Sequence, residues 1–124
     1  MNGQAIILAG GKGSRLGNLT KLTPKPMLKL NGKYFLDYII EYLSQNNIKE
    51  VIIIAGYLGN QIYNEFHNKT YKGTLNIKVI IEKTPLGTGG FIYEYNDILD
   101  DMFFILNGDT IFNIDLKKLY LNLN

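Results

Sequence analysis

The chain has 124 residues, 46% apolar and 19% charged, with no cysteine and a single histidine, His67. That composition excludes a disordered chain, and the missing thiols exclude disulfides, thiolate metal sites and cysteine nucleophiles. A net charge of +2, from 13 basic and 11 acidic residues, is too balanced to make nucleic acid or an anionic membrane the main partner.

The apolar runs are strand-sized and fall short of the roughly 18 residues a membrane span needs. Met1-Asn2-Gly3-Gln4 carries no basic region of the kind that opens a signal peptide. The expectation is one soluble, cytoplasmic domain with its own core.

Residues 5–9 form an apolar run closed by glycines and read as a buried strand. Residues 10–26 read as a loop. Over 34–46, Leu36, Ile39, Ile40 and Leu43 recur at helical spacing. A second buried strand, 51–55, stops at Gly56. A short helix over 60–66 carries Ile62, Tyr63 and Phe66. A third, more alternating strand covers 75–82. A glycine-rich turn opens a helix over 87–98, and a fourth strand, 102–107, ends at Gly108-Asp109. An apolar-spaced segment over 115–121 closes the chain.

Strands alternating with helices predict a doubly wound α/β domain with a mainly parallel sheet. Right-handed crossovers give the strand order 3-2-1-4. The first and fourth strands are then neighbours whose connections leave on opposite faces. Ligands bind at such a switch point, outside the carboxyl ends of the strands.

The loop after the first strand reads Leu8-Ala9-Gly10-Gly11-Lys12-Gly13-Ser14-Arg15-Leu16. Glycines let backbone N–H groups approach phosphate oxygens, and Arg15 adds a positive fork. The loop is neither a P-loop nor a dinucleotide fingerprint: Gly-Lys-Gly-Ser breaks the first, and the spacing of Gly11, Gly13 and Gly17 breaks the second. On these residues alone, a strand-to-helix turn that binds nothing is an equal alternative. Pro24-Lys25-Pro26 holds a lysine between two rigid residues. A second glycine cluster, Pro85-Leu86-Gly87-Thr88-Gly89-Gly90, follows Glu82, and Leu106-Asn107-Gly108-Asp109 puts a carboxylate just past the fourth strand.

Taken in order, these four blocks resemble the signature of sugar-1-phosphate nucleotidyltransferases, within them the heptose- and mannose-1-phosphate guanylyltransferase branch. The resemblance covers essentially the whole chain and implies a Rossmann-like, three-layer fold. It implies transfer of a nucleotide from a nucleoside triphosphate, with GTP favoured, to a sugar 1-phosphate, releasing pyrophosphate. By resemblance, Leu8, Ala9, Gly10, Gly11, Gly13 and Ser14 hold the nucleotide, together with Glu82, Gly87 and Thr88. Arg15 and Lys25 are the catalytic cations, on the pyrophosphate and the α-phosphate, and Asp109 holds Mg²⁺. The purine is expected to be guanine, because Glu82 can accept from its N1 and N2 donors and adenine has no donor at N1. Pairing of Glu82 with Lys83 or Lys12 on the surface, and a turn- or helix-capping role for Asp109, are the plain alternatives.

The family's catalytic domains run well beyond 124 residues. Residues 1–124 are therefore expected to be the nucleotide-binding part, truncated before the sugar-binding part, with little transferase activity alone. Two other functions stay open: a nucleotide-binding module without catalysis, and transfer to phosphocholine instead of a sugar. An α/β scaffold that binds nothing would need none of Arg15, Lys25 and Asp109. His67 is expected to be solvated and without a role. Tyr34, Tyr38 and Tyr42 recur as a packing stripe, and Asp100-Asp101 fall at the wrong end of the sheet for a metal pair with Asp109.

Overall fold

A computed structural model describes residues 3–10 and 22–108. The expected 115–121 segment, with Lys117 and Lys118, lies outside the described residues.

The first apolar run is strand β1, Gly3–Ala9. After a single turn at Lys25–Met27, a two-residue hairpin, β2 (Lys29–Leu30) and β3 (Lys33–Tyr34), leads into helix α1, Phe35–Gln45. Strand β4, Ile48–Ala55, is followed by α2, Gly59–Phe66, then by the short β5, Thr70–Tyr71, and β6, Leu75–Ile81. Helix α3 covers Gly87–Glu94, a single turn follows at Asn96–Ile98, and β7 is Phe104–Asn107.

Five strands make one sheet in the order β5-β6-β4-β1-β7. The four longer strands are parallel throughout, with β1 paired to β4 on one side and β7 on the other, and β6 paired to β4. This is the expected order, 3-2-1-4. The added edge strand β5 runs antiparallel to β6.

Alternate residues of the strands serve two separate cores, because successive side chains point to opposite faces. Ala5, Ile7, Val51, Ile53, Ile77 and Val79 share one face with Leu36, Ile39, Ile40 and Leu43 of α1 and with Ile62 and Phe66 of α2. Ile6, Ile52 and Ile54 face the other way, toward Phe91 of α3. The chain therefore lays two helices on one face and the third on the other, a three-layer doubly wound domain. The change of face comes between β6 and β7, which puts the switch point beside β1.

The strand and helix cores follow the sequence reading, with shifted ends. Strand β4 begins three residues earlier than expected, at Ile48. The third helix ends at Glu94, and the turn at Asn96–Ile98 takes the rest of that stretch.

Candidate functional site

The parallel strands all end on one edge of the sheet. Ala9, Ala55 and Ile81 stand in register across β1, β4 and β6, and Leu8 pairs with Asn107 of β7. The next residue on each strand is Gly10, Gly56, Glu82 or Gly108. The exit row is thus three glycines and one carboxylate.

The glycines allow backbones to close up. A Cβ on Gly56 would stand 3.1 Å from the carbonyl oxygen of Gly10 and 3.3 Å from its Cα. A Cβ on Gly108 would stand 3.2 Å from both the Ala9 Cβ and the Leu8 carbonyl oxygen. The Gly108 N–H donates to the Leu8 carbonyl at 2.8 Å, extending the β1–β7 ladder by one residue. The end of β7 is therefore held against the end of β1, and Asp109 is the next residue in the sequence.

Glu82 continues the ladder between β6 and β4, its N–H donating to the Ala55 carbonyl at 2.8 Å. The Leu86 backbone N–H favours the ionised form of Glu82, whose Oε2 is buried and meets no hydrogen-bond partner among the described residues. Burial pushes the Glu82 carboxyl above its ordinary pKa, and the Leu86 N–H pulls the other way. A desolvated acceptor left open is costly unless a donor arrives. The described structure shows no hydrogen bond or ion pair from Glu82 to Lys83, so the surface-pair reading finds no support there.

Lys25 is held by its neighbours. Pro24, Pro26 and Met27 are buried, and Met27 packs into the core under α1. The turn closes with the Met27 N–H on the Pro24 carbonyl at 2.9 Å and the Leu28 N–H on the Lys25 carbonyl at 3.1 Å. Lys25 itself is half-buried. The turn packs on α1, and the Phe35 N–H at the start of that helix donates to the Leu28 carbonyl at 2.8 Å.

Gly87 and Thr88 open α3 after Glu82. Gly87 has φ +70°, a conformation that favours glycine strongly over any side-chain-bearing residue. Leu8 is half-buried on the α3 face, Ala9 is buried on the other, and Gly10 is exposed. Gly11, Gly13, Ser14, Arg15 and Asp109 lie outside the described residues, as does Lys12. Of the expected site, the structure brings Leu8, Ala9, Gly10 and Glu82 to one sheet edge, with Gly87 and Lys25 on the segments that leave it.

Two residues correct the sequence reading or extend it. His67 is not simply solvated: its Nδ1 accepts the Val79 N–H at 3.0 Å, and its ring stacks on Tyr63 with centroids 4.2 Å apart. The imidazole takes the place of a carbonyl where the short strand β5 no longer covers the edge of β6. Gly56 does more than stop a strand: it forms part of the exit row. The signal was present in Gly56-Tyr57-Leu58-Gly59, a strand-to-helix turn with a glycine at each end. Asp100 lies at the opposite end of the sheet, as expected, where its N–H donates to Gln4 Oε1 at 2.8 Å.

Among the described residues, no cluster of three acidic or histidine side chains could by itself hold a metal ion, and no helix is long and apolar enough to cross a membrane.

Comparison with known proteins finds relatives along nearly the whole of this chain. A D-glycero-alpha-D-manno-heptose 1-phosphate guanylyltransferase of Campylobacter jejuni is 48% identical over 119 residues, covering 96% of this chain and 53% of that protein. The enzyme of the same description from Aneurinibacillus thermoaerophilus is 42% identical, covering 94% of this chain and 50% of its own length. The chain thus spans about half the length of these relatives. A crystal structure of HddC from Yersinia pseudotuberculosis complexed with GMP-PN superposes with a TM-score of 0.81 at 33% identity, covering 96% of this chain and 53% of that one. The family model for nucleotidyl transferases matches residues 4–122, and the chain accordingly belongs to the nucleotidyl transferase family.

Proposed function

We propose that the chain is the nucleotide-binding part of a sugar-1-phosphate guanylyltransferase that takes GTP and a sugar 1-phosphate to a GDP-sugar and pyrophosphate. The observation that carries this reading is the strand-exit row, with an open, buried carboxylate oxygen on Glu82 in line with Gly10. The names of the two guanylyltransferase relatives and the GMP-PN complex of HddC support guanine as the base.

In the proposed reaction an oxygen of the sugar phosphate attacks the α-phosphorus of GTP. The bond from that phosphorus to the oxygen bridging the β-phosphate breaks, and pyrophosphate leaves with its electrons. The nucleophile is already ionised at neutral pH, so no general base is required. Catalysis then rests on positioning and on neutralising charge at phosphorus. Lys25, fixed between buried prolines, serves the α-phosphate, and Arg15 serves the leaving pyrophosphate. The backbone of Gly10 to Ser14 cradles the triphosphate, while Leu8 and Ala9 form the floor under the nucleoside. Glu82 accepts from guanine N1 and N2, with Gly87 and Thr88 beside it.

Mg²⁺ suits the donor set proposed: one hard carboxylate, Asp109, following a glycine pressed against β1, with substrate phosphates completing the shell. When bound, it would neutralise charge on the phosphates. The remaining work of this chain is to hold the nucleotide.

Calorimetric titration with GTP, ATP, CTP and dTTP in the presence of Mg²⁺ tests the reading. GTP should bind most tightly, and Arg15→Ala and Lys25→Ala should each weaken it by about 1–3 kcal/mol. Tighter binding of CTP or dTTP, or unchanged affinity in both variants with the fold intact, would overturn it.

A further inference from the structure

The turn between β4 and α2 does more than connect them. Beside Gly56 it meets Gly10, where the Tyr57 N–H reaches the Gly10 carbonyl at a long 3.5 Å. One helical turn further on, Gln61 Nε2 donates to the carbonyl of Leu22 at 2.6 Å. Gly10 and Leu22 are the two described residues that flank the 11–21 stretch, and Leu22 leads directly into Pro24-Lys25-Pro26. Both flanks are therefore fastened to one short piece of chain, residues 56–61, one by a backbone N–H and the other by the Gln61 side chain.

That piece is itself rigidly placed. The Gly59 N–H donates to the Gly56 carbonyl at 2.9 Å and the Gln61 N–H to the Leu58 carbonyl at 3.1 Å. Leu58 sits in the left-handed region, at φ 54° and ψ 30°. A leucine there is unusual and disfavoured by its Cβ, so the surrounding contacts impose the turn. Gly59 lies flush on the strand ends: a Cβ there would stand 3.1 Å from the Ala55 Cβ and 3.3 Å from Ile81 Cγ2. The head of α2 is thus seated on the edge that also carries Glu82.

We infer that Gln61 is a positioning residue for the proposed nucleotide site, holding the approach to Lys25 in place through the Leu22 carbonyl. Gln61 acts at the phosphate side, its Nε2 bonded to the Leu22 carbonyl. The inference rests on the proposed nucleotide reading for its consequence, though not for its geometry. Two substitutions remove the donor while keeping the length of the side chain, Gln61→Met and Gln61→Glu.

Two measurements on the whole chain test it. Amide hydrogen exchange without ligand should speed up at Met27 and Leu28, whose N–H groups close the turn around Lys25, and stay unchanged in β6 and α1. GTP·Mg²⁺ affinity should fall about threefold to tenfold, the range for one hydrogen bond, with guanosine affinity changed less than about twofold, because guanosine lacks the phosphate that Lys25 serves. A purely structural loss would weaken both ligands together. Unchanged exchange at Met27 and Leu28 in both variants overturns the inference, and so does an equal loss for GTP and guanosine. Failure of the unsubstituted chain to bind any nucleotide would overturn the proposed function instead, and the exchange experiment would still decide whether Gln61 holds the turn.

Discussion

At the scale of single residues, Glu82 carries the most testable chemistry. Its buried Oε2 has no partner among the described residues, and burial raises its pKa above the ordinary value of 4.5. A raised carboxyl pKa favours the protonated form in the fold. The associated stability is therefore full below the unfolded pKa and is lost as pH rises through the folded one. Glu82→Gln should flatten this decline, so denaturation midpoints of the two proteins should converge in acid and separate toward neutrality, with the variant the more stable. Ligand binding should move oppositely. GTP affinity should rise with pH as the carboxylate ionises, and Glu82→Gln should cost GTP about 1.5–3 kcal/mol at neutral pH while leaving ATP almost unaffected. Gly56 offers a steric counterpart. An added Cβ would press on the Gly10 carbonyl at 3.1 Å, so Gly56→Ala should destabilise the fold by about 1–3 kcal/mol, read from denaturant midpoints. The position of Glu82 after the third strand was legible in the sequence; the open oxygen was not, because it depends on Leu86 turning back onto the carboxylate.

At the scale of elements, the strands and helices were legible because their signals are long. Leu36, Ile39, Ile40 and Leu43 are all buried in α1, as their spacing requires. The short elements escaped. Asn31-Gly32 joins β2 to β3 with φ of 54° and 81°, and Lys72-Gly73 joins β5 to β6 with φ of 52° and 71°. Asn-Gly between short runs is a strong hairpin signal, but two residues per strand give no alternation to go with it. Polar side chains that complete an element escaped too, since their partners are distant in sequence. Gln4 is buried at 1% exposure and gives its Nε2 to Glu50 Oε1 and, at 2.8 Å, to the Ile98 carbonyl. With the Asp100 N–H on its oxygen, it ties β1, β4 and the entry to β7 together at the edge opposite the site. Gln4→Leu should cost about 2–4 kcal/mol by leaving several groups unpaired, measured by chemical denaturation. His67 does the same work for the edge of β6, a role its polar neighbourhood in the sequence concealed.

At the scale of the whole molecule, the alternation of strands and helices set the strand order, and the right-handed crossover rule left little choice. That topology brings four strand exits together from residues 10, 56, 82 and 108, far apart in the chain. The glycine-bounded turn from Gly56 to Gly59 marks the end of a strand, and the sheet order then sets that end beside Gly10. The central claim is that this edge, and not the opposite one, receives a guanine nucleotide. Amide chemical shifts of the ¹⁵N-labelled chain, followed while GTP·Mg²⁺ is added, test it most directly. Saturating shifts are expected at Gly10, Gly56, Glu82, Gly87 and Gly108, with little change at Gln4, Glu50 and Asp100. Shifts confined to the Gln4 edge, or none at the strand exits at saturating GTP, would contradict it.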